Sequence, residues 1–148
     1  MFTLSAPLPI FAEDNPAVAA NEAADSDMDA DTLGQLGIEL NKLEQVEGTC
    51  RLYFVFKNAL GTPLEKLQLE LVLFDSKGFI QRNLMVNAAP IAADKTSVKR
   101  FDLTETRCES VGRILINDVP AIAGPDGAVS VDVSQLELSS KSDVDLFK

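Results

Sequence analysis

The chain has 148 residues, 46% of them apolar and 24% charged, with a formal net charge of −10; this suffices for one cored domain plus a tail and is too apolar for disorder throughout. It contains no His and no Trp, which excludes Ser-His-Asp and Cys-His nucleophilic centres and His-bearing zinc sites.

The charge is unevenly placed. Residues 13–31 hold Glu13, Asp14, Glu22, Asp25, Asp27, Asp29 and Asp31 with no Lys or Arg, whereas the remainder sets sixteen acids against all thirteen bases, or −3. The expected folded part is thus close to neutral. With no basic excess and no aromatic platform interleaved with cations, no nucleic acid partner is expected.

Residues 1–12, M-F-T-L-S-A-P-L-P-I-F-A, form an apolar run ending in a small residue before Glu13-Asp14-Asn15. They read as a signal-peptide remnant with Ala12 as the last residue removed. No Lys or Arg occurs before Lys42, so the positive amino-terminal region of such a signal would lie upstream of Met1. The run is too short to cross a bilayer, which takes roughly 20 apolar residues, and no transmembrane segment is expected elsewhere.

Residues 13–32 lack hydrophobic periodicity and read as a disordered acidic linker, unable to bury enough apolar surface to offset its ordering entropy. Within it, Asp25, Asp27 and Asp29 begin like a calcium loop. The glycine and glutamate such a loop needs at its sixth and twelfth positions are replaced by Ala30 and Leu36, so a solvated charge run is the expectation.

The folded domain is expected over residues 33–148. In residues 38–47, Ile38 and Leu40 share one phase and Leu43 falls in the other. A strand with a β-bulge produces that slip; a short helix is the competing reading, since Leu36, Leu40 and Leu43 also have helical spacing.

Residues 50–78 organise the rest. Cys50, Leu52, Phe54 and Phe56 alternate with Arg51, Tyr53, Val55 and Lys57, the pattern of a half-buried strand whose core face begins at Cys50. After N-A-L-G-T-P, the residues Leu67, Leu69, Leu71 and Leu73 repeat the alternation, so a β-hairpin is expected across residues 58–63. Asp75-Ser76-Lys77-Gly78 then fits a type I turn with a glycine bulge, and residues 79–86 return as a strand.

Residues 97–103 have mixed polarity and read as a strand near an edge. Residues 111–118, V-G-R-I-L-I-N-D, are nearly continuously apolar and read as a central strand. Pro125-Asp126-Gly127 marks another turn, followed by Val129, Val131, Val133, Leu136 and Leu138, and then by Val144, Leu146 and Phe147 at the close. Seven to nine short strands, with turns about every ten residues and no convincing helix, give an all-β fold, a sandwich or a barrel.

Cys50 and Cys108 are the two cysteines. In an exported chain they most economically form one disulfide, two separate buried thiols being the alternative.

Leu71-Val72-Leu73-Phe74-Asp75 resembles the F-x-L-Y-D signature of a family of small bacterial extracytoplasmic immunoglobulin-like domains. Val55-Phe56-Lys57-Asn58 resembles that family's V-x-x-N strand end, and Ser76-Lys77-Gly78 its D-x-x-G turn. The similarity covers residues 49–103, with Leu71 in place of Phe and Phe74 in place of Tyr. The stretch C-E-S-V-G-R-I-L-I-N-D-V from Cys108 also resembles alphaproteobacterial envelope proteins labelled "Tat pathway signal sequence domain protein", although this sequence has no twin-arginine pair. The resemblance implies an immunoglobulin-like antiparallel β-sandwich and export to the periplasm, and it brings no catalytic residues and no cofactor.

For function, Asp75, Asp102, Glu105, Glu109 and Asp118 are carboxylates able in principle to do acid–base work, yet each falls where a turn or strand end places a solvated acid. Ser97 with Lys99 is a pair that alternation alone creates, and Asn117-Asp118 reads as a loop cap. The expectation is a non-catalytic periplasmic module that binds another cell-envelope protein through a sheet face or edge. A small-ligand binder for glycan, lipid or calcium is the alternative. The sequence motif residues Asn58, Leu71, Leu73, Phe74, Asp75 and Gly78 are read as structural.

Overall fold

The computed structural model describes residues 34–148; the expected signal remnant, acidic linker and Asp25–Asp31 run lie outside them. Among these described residues nine strands form two sheets. They are β1 (Leu36–Val46), β2 (Thr49–Asn58), β3 (Lys66–Phe74), β4 (Ile80–Asn87), β5 (Lys95–Leu103), β6 (Arg113–Gly124), β7 (Gly127–Ala128), β8 (Leu136–Ser140) and β9 (Asp145–Phe147). The first sheet has the order β5-β2-β1-β8, and the second β4-β3-β6-β7 with β9 also paired to β6. The two sheets pack face to face as a β-sandwich. Most pairings are antiparallel, but β1 with β8 and β6 with β9 run parallel.

Alternation explains which side of each strand is buried. Cys50, Leu52, Phe54 and Phe56 of β2 are buried, and so are Leu67, Leu69, Leu71 and Leu73 of β3. In β1 the buried phase slips by one residue. Leu40 pairs with Phe54 and Lys42 with Tyr53, leaving Asn41 as the bulge and turning Leu43 to the side of Leu52. The bulged strand, not the helix, is the outcome. A fully buried Leu or Phe contributes about 1.5–3 kcal/mol, so this re-phasing keeps Leu43 packed on the core instead of exposed.

The expected hairpin between β2 and β3 is corrected. These strands belong to opposite sheets, β2 pairing with β1 and β5, and β3 with β4 and β6. The connection is an arch that carries the chain from one layer to the other. Its pivot is Asn58, which is fully buried. The Asn58 Nδ2 donates to the carbonyls of Thr62 (2.9 Å) and Ala92 (3.1 Å), and its Oδ1 accepts from Leu60 N–H (3.0 Å). A buried amide with every polar atom bonded fixes the turn-over at low cost.

The β3–β4 hairpin forms as expected. Asp75 Oδ1 accepts from the N–H groups of Lys77 (2.9 Å) and Phe79 (3.0 Å), Gly78 N–H donates to Asp75 O (3.0 Å), and Gly78 has φ of 89°. The pairing register shifts at Leu73/Phe74, which is the glycine bulge. Close against this turn lies Gly112, whose N–H donates to Phe74 O (2.7 Å). A Cβ there would stand 2.6 Å from Asp75 O, so backbone contact requires glycine.

β5 lies at an edge and β6 at the centre of its sheet. β6 continues six residues past Asp118, where the apolar run ends. Register shifts beside Glu70 absorb Val119 and Pro120, a proline being tolerated in a strand at a bulge. The valines at 129, 131 and 133 pack on the core without forming a strand of their own; a 3-10 turn at Val133–Gln135 leads into β8.

Cys50 and Cys108 form the disulfide, with S–S of 2.06 Å and Cα–Cα of 4.9 Å. It ties β2 in the first sheet to the short 3-10 turn Cys108–Ser110 that leads into β6 in the second. Gln45 secures the same corner. Its Oε1 accepts from Cys108 N–H (2.7 Å), while its Nε2 donates to the carbonyls of Glu47 (2.8 Å) and Thr49 (3.1 Å).

Candidate protein-interaction face

The outer face of the second sheet carries a cluster of apolar side chains among its polar ones. Register places Asn83, Val72, Leu115 and Phe147 in one row across β4, β3, β6 and β9, and Ile80, Phe74, Arg113 and Asp145 in the next. Met85 stands opposite Glu70 in a third row. Phe79 (68% exposed), Ile80 (67%) and Met85 (53%) are large apolar side chains left open to solvent.

The face is locally ordered by its aromatics. The rings of Phe74 and Phe147 are 6.1 Å apart and tilted by 38°. The Arg113 guanidinium sits 3.8 Å from the Phe147 ring centroid and 3.9 Å from Asp145 Oδ2, combining a cation–π contact with a loose ion pair. Glu70 accepts from Asn117 Nδ2 (2.8 Å), which bounds the patch at the third row. Aromatic, Met and Arg side chains are the types enriched at the centres of protein interfaces.

β4 is also an edge strand, and its only charged residue is Arg82. That guanidinium points inward and donates to Thr104 O (2.8 Å) and Thr106 Oγ1 (3.0 Å). β5, the edge of the first sheet, carries Lys95, Lys99, Arg100 and Asp102 instead. Edge strands resist unwanted pairing through such charges; β4 lacks them along the side that abuts the patch.

A cleft lies at the disulfide end. Asn41, Lys42 and Leu43 of the bulge, Cys108, Glu109, Val111 and Gly112, and the β8–β9 loop from Lys141 to Val144 line an open cleft of about 780 Å³.

The residues singled out from sequence disperse. Leu71 and Leu73 are core, Asn58 holds the arch, Asp75 and Gly78 make the hairpin turn, and Cys50 and Cys108 bridge the sheets. Phe74 is different. The structural reading of the motif did not anticipate that its side chain joins the exposed face. The candidate carboxylates are not gathered together. Asp102 is paired with Arg51 (2.8 Å) and Glu109 with Arg107 (2.9 Å), while Asp118 accepts from Val119 N–H. The Arg51 hydrogen bond holds the Asp102 carboxyl below the usual carboxylate range. Lys99 donates to Pro90 O (2.9 Å), not to Ser97. Among the described residues no group of three or more His, Cys, Asp or Glu side chains could hold a metal ion, and no helix is long and apolar enough to cross a membrane.

No protein-family model and no curated protein matches the chain. Among solved structures it is similar to IrmA from Escherichia coli, with a TM-score of 0.57 and 16% identity over 70% of this chain and 90% of IrmA. That likeness extends to the fold alone.

Proposed function

We propose that the domain is a non-catalytic interaction module of the bacterial cell envelope, working in the periplasm, that binds another envelope protein through the outer face of its second sheet and the adjoining β4 edge. The observation that carries this is the outer-face group of half-buried Phe74, Leu115 and Phe147 with exposed Ile80 and Met85, set around the buried Val72 beside a strand edge with one inward-facing charge. Soluble domains rarely leave such a patch open unless something covers it, and an edge strand adds main-chain hydrogen bonds to the apolar contact. The disulfide fits an oxidising compartment.

The cleft beside Cys108 favours a second reading, a small ligand held between the Leu43, Val111 and Val144 floor and the Lys42, Lys141 and Asp143 rim. Cross-linking in intact envelopes followed by mass spectrometry separates the two. The first reading expects a protein adduct mapped to β4 or the outer face. Absence of any such adduct, together with a thermal shift produced by a glycan, lipid or calcium ion, supports the second and rejects the first.

A further inference from the structure

The first sheet is unfinished at one corner. β8 runs beside β1 only from Leu36 to Leu40, opposite Leu136–Ser140, and the last main-chain bond there joins Lys141 N–H to Leu40 O (2.9 Å). The chain then crosses to β9 in the second sheet, whereas β1 continues to Val46 paired with β2 alone. Residues 41–46, about 20 Å of strand, therefore keep a free edge. The register tells which groups line it. Leu40, whose carbonyl points away from β2, lies opposite Phe54, and Leu43 and Gln45 lie opposite Leu52 and Cys50, the same phase of β2. Antiparallel pairing alternates bonded with non-bonded pairs, so the N–H and C=O groups of Leu43 and Gln45 also point away from β2. Among the described residues they meet no main-chain partner on that side.

This edge opens onto the cleft at the disulfide end, whose floor is Leu43, Val111 and Val144. One wall is the β8–β9 loop, pinned by Ser142, whose Oγ accepts from Val144 N–H (3.0 Å) and donates to Val144 O (3.1 Å). The long side chains able to cover the edge turn the other way. Lys42 Nζ lies 4.9 Å over the Tyr53 ring and Glu44 accepts from Tyr53 OH (2.7 Å), so both lean toward β2. Of the charged groups lining the cleft, Lys42 is paired with Glu44 (4.0 Å), Lys141 with Glu39 (3.8 Å) and Glu109 with Arg107 (2.9 Å). Asp143 has no ion pair among the described residues, which leaves the lining with a negative charge uncompensated.

We propose that this corner receives an extended, basic segment of another protein, which adds as a strand beside residues 41–46 of β1 in the place that β8 vacates. Its main chain bonds Leu43 and Gln45, its alternate apolar side chains enter the cleft against Leu43, Val111 and Val144, and a Lys or Arg meets Asp143. The unpaired ladder selects a strand over a compact small molecule, because a main chain repeats donors and acceptors at the spacing of the edge while its alternate side chains fill the pocket beside it. Charge selects a basic segment. The site is separate from the outer face and the β4 edge, since β8 and β9 meet on one flank of the sandwich and β5 and β4 end the two sheets on the other. It also gives the cleft a peptide occupant in place of a glycan, lipid or calcium ion.

The probe is a phage-displayed library of random octapeptides panned against the full chain, followed by amide hydrogen exchange of the chain with the enriched peptides. The expected consensus alternates apolar residues and carries a Lys or Arg, and the peptides slow exchange at Leu43 and Gln45 several-fold while leaving the β4 amides unchanged. Asp143→Lys, at an exposed position that leaves the fold intact, should weaken binding several-fold, and a Glu in place of the peptide's cation should restore it. No enriched peptide, a consensus without alternation, unslowed Leu43 and Gln45 amides, or indifference to Asp143→Lys overturns the proposal. Protection confined to β4 supports the outer-face interface and overturns this one. A consensus matching this chain's own strands replaces the partner by a second copy and overturns it. Slowed Leu43 and Gln45 amides with a glycan, lipid or calcium ion and with no peptide return the cleft to a small ligand, and also overturn it.

Discussion

The arch at Asn58 provides the sharpest quantitative test of the fold. Asn58→Ala removes two donors and one acceptor from a fully buried position, leaving Thr62 O, Ala92 O and Leu60 N–H without their partners. A net hydrogen bond is worth about 1 kcal/mol, and each buried group left unpaired costs about 1–3 kcal/mol. Ala92 is exposed, so water re-satisfies its carbonyl and the sum settles at about 3 kcal/mol. Asn58→Asp should be worse at neutral pH, because a buried carboxylate would face two carbonyl oxygens. Its folded-state pKa is raised, so that penalty is present above the unfolded pKa near 4 and shrinks as the pH falls and the acid protonates. The assay is urea unfolding with the disulfide intact, comparing midpoints at unchanged slope, with Asn117→Ala on the exposed face as the reference. An Asn58→Ala variant that unfolds within about 0.5 kcal/mol of Asn117→Ala, the range of an ordinary surface substitution, refutes the reasoning that this amide holds the two sheets' connection.

Other outcomes follow from the same contacts. Gly112→Ala should destabilise by about 1–3 kcal/mol, because its Cβ meets the Asp75 backbone at 2.6 Å. Gly78→Ala meets nothing and should lose about 1–2 kcal/mol through its positive φ alone; denaturant titration of each variant reads both losses. Removing the disulfide as Cys50→Ala/Cys108→Ala should cost about 4 kcal/mol by the loop-entropy estimate for a separation of 58 residues, read by thermal and urea unfolding. Asp102, whose carboxyl is held low by Arg51, contributes stability that is present above its unfolded pKa and lost as the pH falls through its lower folded value. A carboxyl-carbon NMR titration should show that depression and its disappearance in Arg51→Met.

Strand phase was legible in the sequence because burial imposes period two. The Leu40-to-Leu43 slip pointed to a bulge between those residues, and the strand pairing places it at Asn41. Strand partnership was not, and the β2–β3 arch shows why. Two alternating strands joined by a turn-rich linker look the same whether they pair within a sheet or face each other across a core. The distinguishing residue, Asn58, is polar and reads as an ordinary turn residue until the bonds to Thr62 and Ala92 show it buried. The outer face was hidden for a different reason. Phe74, Leu115 and Phe147 are far apart in sequence and meet only through the β3–β6–β9 pairing. One signal was available. Residues 79–86, F-I-Q-R-N-L-M-V, do not alternate cleanly, as a strand with apolar residues on both faces should not. The cleft beside Cys108 likewise arises from three separate segments and has no contiguous motif.

The central claim is that the outer face of the second sheet is where this domain meets a partner. A photo-cross-linking residue introduced at Ile80 or Met85, and separately at Glu137 and Ser139 on the opposite sheet, tests it in intact envelope-bearing cells. The account predicts one discrete protein adduct from Ile80 and Met85, none from Glu137 or Ser139, and loss of the Met85 adduct on adding Phe147→Asp in a variant that keeps its melting temperature. Adducts of equal yield from both sheets, or none from Ile80 and Met85, would contradict it.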